Sequence, residues 1–270
     1  MTWVTITEDT ILEDTTGTEP GEPMKYVASC SFGKDSLAMV LNLIERKYPL
    51  DEVVFYNTGV EFQAIYDIRD KMIPIFEEHG ITFTELKPKY PFEYMMFDKP
   101  VKYRDGSGIH YGYSWCGGQN RWGTGEKIQT ILKYSKNAYQ YVGIAYDEPH
   151  RFEKSKHELK LMPLVEWQMT EADCLKYCYD HGFYWEENGV RLYDILDRVS
   201  CWCCANKNRK ELKNIYQYMP EYWKRLKDFQ SRIDRPMKQY RNRKYGDYGN
   251  VFDMEKVFEQ EKEDVKNAES

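Results

Sequence analysis

The sequence predicts an α/β fold, a mostly parallel sheet of about five strands with helices on both faces, followed by a small cysteine-bearing helical region. Three observations carry this expectation. Short apolar runs alternate with amphipathic runs in strand, helix, strand order through the first half of the chain. The runs that read as strands are continuously apolar, as in parallel strands buried on both faces and joined by right-handed crossovers. A Cys-Trp-Cys-Cys segment at 201–204 then leads into two amphipathic helices rather than another strand.

The totals set bounds. A chain of 270 residues suits one larger domain with an appendage. With 23 Tyr, 12 Phe and 7 Trp it has ample stacking surface, although core packing is the default use of such side chains. A net charge of -6 argues against a surface that embraces nucleic acid as a whole but leaves local patches open. Seven cysteines clustered toward one end read as metal ligands or redox groups before disulfides. No apolar run approaches the ~18 residues of a membrane span, and the start of the chain is acidic and Thr-rich, so a cytoplasmic protein without a membrane partner is expected.

Taken in order, residues 1–24 read as a flexible arm, 25–199 as a nucleotide-binding domain, 200–231 as the cysteine-bearing helical subdomain and 232–270 as a charged tail. A strand ending at Ser29 turns through Cys30, Ser31, Phe32 and Gly33 into a helix over 36–47, with Leu37, Val40, Leu41 and Ile44 on one face. Such a turn leaves backbone N–H groups unpaired and aimed at one point, where a phosphate is best held by Ser29, Ser31, Phe32, Gly33, Lys34, Asp35 and Ser36. The segment is too compact for a Walker loop, which excludes a P-loop NTPase.

The next strand, 51–56, ends in Asn57-Thr58-Gly59-Val60-Glu61-Phe62, at the carboxyl edge where open α/β sheets bind ligands. Thr58, Gly59 and Glu61 are therefore candidate nucleotide contacts, with a helix cap at Asn57 or Thr58 as the plainer alternative. A helix over 63–80 and a strand over 81–86 follow. Periodicity then fails over 88–115, where aromatics interleave with Lys99, Lys102, Arg104 and His110; this suits a lid over a nucleotide or RNA base, or packed irregular structure. A helix over 124–134 carries Lys127, and a strand over 138–144 opens toward Glu148 and Arg151. Thr170 with Asp173 caps a helix whose Cys174 and Cys178 read as core.

Cys201 and Cys204 stand at the spacing with which two thiolates grip one metal or cluster, with Cys116 as the best distant partner and Cys203 as a candidate fourth ligand. Zinc on Cys116, Cys201, Cys204 and either Cys203 or His157 is the alternative occupant. Between residues 207 and 244, 13 Lys and Arg stand against Glu211, Glu221, Asp228 and Asp234, so this stretch either binds a polyanion or docks on the acidic residues that follow.

Ser31, Gly33, Asp35 and Ser36 meet the Ser-x-Gly-x-Asp-Ser pattern of the PP-loop ATP pyrophosphatases, and the chain resembles the phosphoadenosine phosphosulfate (PAPS) reductase family of that superfamily, of the adenine nucleotide alpha hydrolase-like type. Thr58, Gly59, Glu61 and Phe62 match a second segment of the family; Gly143, Glu148 and Arg151 match a third, in which Ala145 replaces an Arg. The resemblance implies a Rossmann-like sheet and a site for ATP, or for adenosine phosphosulfate (APS) or PAPS, with Mg²⁺. It implies adenylation of an acceptor with pyrophosphate release, Lys34, Asp35, Lys127 and Arg151 acting on the phosphates, and sulfur transfer through a 4Fe–4S cluster on Cys116, Cys201 and Cys204. A sulfur-donor protein and a nucleic-acid acceptor are partners it makes plausible, and homo-oligomerisation stays open. The family's reductases carry tandem cysteines upstream where this chain has Cys116-Gly117, and a nucleophilic cysteine late in the chain where 205–270 has none. Sulfonucleotide reduction is thus the alternative, with a non-catalytic nucleotide-sensing or nucleic-acid-binding module as a third reading.

Overall fold

A computed structural model describes residues 3–8, 23–117, 120–155 and 157–269. Along the chain come β1 (Trp3–Thr7), β2 (Tyr26–Ser29), α1 (Lys34–Glu45), β3 (Glu52–Tyr56), α2 (Gln63–Glu78) and β4 (Thr82–Lys87). The hairpin strands β5 (Pro100–Lys102) and β6 (Ile109–Tyr111) precede α3 (Trp122–Tyr134), β7 (Tyr139–Val142), α4 (Pro149–Ser155), β8 (Lys160–Leu161), α5 (Pro163–Glu166) and α6 (Glu171–Asp180). The chain continues as β9 (Glu186–Glu187), β10 (Val190–Arg191), α7 (Leu192–Ile195), α8 (Arg209–Tyr218), α9 (Pro220–Ser231) and α10 (Val251–Glu269).

The main sheet runs β1-β4-β3-β2-β7-β8, and every neighbouring pair in it is parallel. It has six strands, one more than the sequence suggests. The extra strand is β1, which falls within the expected flexible arm but pairs with β4 from Trp3 opposite Phe83 to Thr7 opposite Lys87. The rest of that arm, 1–2 and 9–22, lies outside the described residues. All five residues of β3 are buried, as expected of a central parallel strand. Val27, Val54, Tyr56, Leu86 and Ala138 form a core cluster on the sheet.

The chain divides into two compact units. The first holds the main sheet: the described residues up to Lys89, then Gly125–Leu192 and Val199–Cys201. The second comprises Tyr90–Thr124, Tyr193–Arg198 and the described residues from Trp202 on.

In the second unit, α8 starts with a capping box between Asn208 and Glu211. Helix α10 occupies much of the expected charged tail and buries Val251, Met254, Val257 and Phe258, the last beside Tyr216 and Trp223. The expected irregular stretch over 88–115 contains a π-helical turn at Tyr94–Asp98 and the β5–β6 hairpin. Among the described residues no helix is long and apolar enough to cross a membrane.

Candidate functional site

The turn from β2 into α1 is organised by its own backbone. Gly33 caps α1 without any side-chain hydrogen bond, so the first-turn N–H groups stay available to a ligand. Ser36 Oγ accepts from Ser31 N at 3.1 Å and donates to Gly33 O at 3.2 Å, drawing the loop into a tight arch. The carbonyls face inward: Phe32 O accepts from Trp185 Nε1 at 2.8 Å, Gly33 O from Leu37 N at 2.9 Å and Lys34 O from Cys178 Sγ at 3.4 Å. Phe32, expected among the nucleotide contacts, is buried between Phe55 and Phe83 and anchors the loop from below; this burial holds its left-handed backbone, φ 55°. Only its backbone faces the turn. Gly143, at the end of β7, permits the close approach of that segment, since a Cβ there would lie 2.8 Å from Ser36 Cα.

A group of charges surrounds the start of α1. Lys34 Nζ, with a side chain only 9% exposed, lies 3.1 Å from Asp35 Oδ1 and 2.5 Å from Glu171 Oε2. Burial pulls the Lys34 ammonium downward, but Asp35 and Glu171 together outweigh it and hold it above its usual range. Burial pushes the Asp35 carboxyl up to about 6, against the pull of Lys34 and with Glu171 and Glu148 adding to the rise.

Arg151 is paired with the buried Glu148, and its guanidinium also feels Asp35 and Glu171. The structure thus brings Lys34, Asp35 and Arg151 together. Burial pushes the Cys30 thiol up to about 11, and Lys127 is near enough to oppose that rise. Glu171 was legible only as an acid in the first turn of a capped helix; its link to Lys34 spans 137 positions and leaves no local signal. Two cations here face three carboxylates beside an anion-binding turn, and an oxygen donor such as Asp35 is the kind a hard divalent cation shares with phosphates.

At the carboxyl end of β3, the Glu61 carboxylate is buried and accepts from Thr58 Oγ1 at 2.7 Å and Tyr66 OH at 3.0 Å. Asn57 Oδ1 accepts from Gly59 N at 2.9 Å, and Gly59 takes φ 82°, which glycine alone adopts without strain. The turn continues into the cysteine segment: Phe62 N donates to Ser200 O at 3.0 Å, Glu61 bridges Cys201 in antiparallel fashion, and Thr58 Oγ1 stands 3.9 Å from Cys201 Sγ.

In the second unit, Cys116 O accepts from Ala205 N at 3.0 Å. Burial raises the Cys116 thiol, while the N–H groups of Gly123 and Thr124, in the first turn of α3, favour its thiolate; Cys204 is near enough for the two ionisations to oppose each other. Cys116, Cys201 and Cys204 are partly exposed, whereas Cys203 is buried beside Trp202. Three accessible thiols are the right donors for a soft metal or an iron–sulfur cluster. Among the described residues, however, no three His, Cys, Asp or Glu side chains converge as a metal site. Gly117 has φ 139°, and a Cβ there would meet Asn206 N at 2.9 Å, a physical reason against a second tandem cysteine. Cys174 and Cys178 are buried, in keeping with core residues. His157 is exposed and accepts from Leu159 N at 3.2 Å.

Part of the basic stretch is neutralised within its own unit: Arg209 and Lys213 meet Glu261, Lys227 meets Glu255 and Lys244 meets Asp264.

Residues 25–101 match the family model described as phosphoadenosine phosphosulfate reductase domain. Adenosine 5'-phosphosulfate reductase of Staphylococcus epidermidis is 25% identical over 185 residues, which cover 65% of this chain and 69% of the relative. The Bacillus cereus protein of the same name is 24% identical over 195 residues, covering 67% and 73%. Among solved structures, the U34-tRNA thiolase NcsA from Methanococcus maripaludis, with its 4Fe–4S cluster, aligns over 83% of this chain and 76% of its own at 13% identity and a TM-score of 0.41.

Proposed function

We propose, from the match of residues 25–101 to the phosphoadenosine phosphosulfate reductase domain and the likeness to adenosine 5'-phosphosulfate reductases, that this chain binds ATP and activates an acceptor by adenylation, releasing pyrophosphate, as the first half of a sulfur transfer. The observation that carries this reading is the Lys34, Asp35, Glu171 and Arg151 charge group at the uncapped start of α1. The N–H groups of the turn and the hydroxyls of Ser31 and Ser36 bind the β- and γ-phosphates. Asp35 would hold Mg²⁺, which supplies charge neutralisation on the leaving pyrophosphate. Arg151 steadies the oxygens of the α-phosphorus as an acceptor oxygen attacks it and the bond to the β-phosphate oxygen breaks. Lys34 keeps Asp35 and Glu171 in place at the turn rather than contacting phosphate alone.

Cys116, Cys201 and Cys204 would hold the cluster, which when bound supplies an iron site for sulfur. A sulfide-level nucleophile from a sulfur donor would form the new bond to the activated acceptor while the acceptor–oxygen bond breaks and AMP leaves with its electron pair. The test is pyrophosphate release from ATP, screened over candidate acceptors and expected to vanish in Asp35→Asn. Anaerobic purification with absorbance and metal analysis, repeated on Cys201→Ala, tests the cluster; zinc without iron would exclude it.

The curated relatives favour a second reading, reduction of adenosine phosphosulfate. Against it, residues 205–270 contain no cysteine to act as the nucleophile on sulfur. AMP and sulfite formed from this substrate would establish it instead.

A further inference from the structure

Of the charge expected to meet a polyanion over 207–244, Arg209, Lys213, Lys227 and Lys244 are committed to α10, so a second basic surface is worth weighing beside it. The β5–β6 hairpin also presents exposed cations beside aromatics. In its register Pro100 opposes Tyr111, Val101 opposes His110 and Lys102 opposes Ile109. Opposed residues share a face and alternate along each strand, so Pro100, Lys102, Ile109 and Tyr111 lie on one side. Every one of these is exposed, Ile109 at 55% and Tyr111 at 72%.

The other side carries Val101 and His110, half-buried, with the Tyr103 ring tilted against that of His110 at 4.9 Å. Lys102 and Arg104 are exposed and have no ion-pair partner among the described residues, while the nearby acids are occupied. Asp105 accepts from Ser107 N at 2.9 Å and Ser107 Oγ at 2.7 Å, and Asp98 faces Arg232 at 3.7 Å.

The ribbon is also held firmly. Tyr103 N donates to Gly108 O at 3.0 Å across its tip; at its foot Gly112 N donates to Lys99 O at 2.8 Å and Tyr113 N to Met95 O at 2.9 Å. A preordered surface loses little conformational entropy on binding. One aromatic and one aliphatic side chain make too small an apolar area for a stable protein interface, yet they are enough to stack one base. Aromatics beside unpaired cations are the pattern that binds single strands, by stacking on bases and meeting phosphates. In a chain of net charge -6 such attraction has to be local.

We propose that the outer face of the β5–β6 ribbon binds single-stranded nucleic acid, Tyr111 stacking on a base over Ile109 while Lys102 and Arg104 meet the flanking phosphates. The segment leads along the chain to Cys116, five positions after Tyr111, so the bound strand would be the acceptor. This last step rests on the adenylation reading; the binding itself does not.

The test is fluorescence anisotropy of the full chain with labelled oligo(U) and oligo(dT) of about 15 nucleotides, and with a duplex of equal length. Saturable, salt-sensitive binding to a single strand is expected, at least tenfold weaker in Tyr111→Ala and preserved in Tyr111→Phe. The double variant Lys102→Glu with Arg104→Glu should weaken binding and lower the salt slope by about 1 to 2, whereas Arg241→Glu with Arg243→Glu should not. All these side chains are exposed, so an unchanged circular dichroism spectrum excludes misfolding. Absence of binding to either oligomer, unaltered binding by Tyr111→Ala, or equal competition by polyglutamate would overturn the proposal. Pyrophosphate release is measured separately: binding without release removes the adenylation reading and leaves the ribbon, and release without binding does the reverse.

Discussion

The hydroxyl of Thr58 stands 3.9 Å from Cys201 Sγ, so the turn that ends β3 touches the first thiol of the Cys-x-x-Cys segment, 143 positions later. The same hydroxyl donates to Glu61, whose buried carboxylate also accepts from Tyr66. Glu61→Ala would strand both donors, and a buried unsatisfied polar group costs about 1 to 3 kcal/mol. A lower urea midpoint is expected, with faster alkylation of Cys201 by iodoacetamide read by mass spectrometry. Glu61→Gln, which keeps one acceptor oxygen, should fall between this variant and the wild type.

Lys34 neutralises two carboxylates from within the fold. Lys34→Met would leave Asp35 and Glu171 unpaired at the turn, and removing one partner of a buried ion pair costs about 3 to 5 kcal/mol. Denaturant titration near neutral pH should show that loss. The loss should shrink in acid as the carboxylates protonate.

Asp35 gives the stability of the first unit a specific pH dependence. Its carboxyl is raised in the fold from 3.8 to about 6, so between those values the native state holds the proton that the unfolded chain releases. The stabilisation is fully present below about pH 4 and lost as pH rises through about 6, by at most about 3 kcal/mol. Asp35→Asn should abolish this slope. Comparing the two unfolding free energies across that range is the check, and parallel curves would refute the assignment.

Gly143→Ala places a Cβ 2.8 Å from Ser36 Cα, so either β7 or the turn must shift. Overpacking of this kind costs about 1 to 3 kcal/mol. Because the strain falls on the turn, nucleotide affinity, measured by calorimetry, should drop further than the melting temperature suggests.

Replacing Glu255, Glu261 and Asp264 together by Gln and Asn would release Arg209, Lys213, Lys227 and Lys244 from α10. The expected outcome is later elution from heparin at unchanged helicity, with little loss of stability, since ion pairs that keep contact with solvent contribute about 0 to 1 kcal/mol each.

Much of the first unit was legible from local pattern. Periodicity found β3, α2 and β4, and the Thr170–Asp173 capping box is present as read. What escaped depends on distant partners. Trp3–Thr7 is mostly exposed and becomes a strand only because β4 offers an open edge. The strands β5 and β6 have three residues each, too few for alternation to register, and Pro100 argues against a strand. Helix α10 hid behind its charge, although Val251, Met254, Val257 and Phe258 repeat at helical spacing and could have revealed it. In the site, the turn was readable as a compact motif, whereas the tie from Lys34 to Glu171 and the bridge from Glu61 to Cys201 are products of folding alone.

The carbonyls of Phe32, Gly33 and Lys34 are all claimed from inside the protein, by Trp185, Leu37 and Cys178. What the backbone of these three residues leaves to a ligand is therefore its N–H groups, which sort ligands by sign rather than by shape. Phosphate, sulfate and pyrophosphate groups look alike to such a surface. The choice among nucleotides must be written in the neighbouring Arg151, Glu148 and Glu171, so a change of substrate could evolve there without altering a residue of the turn.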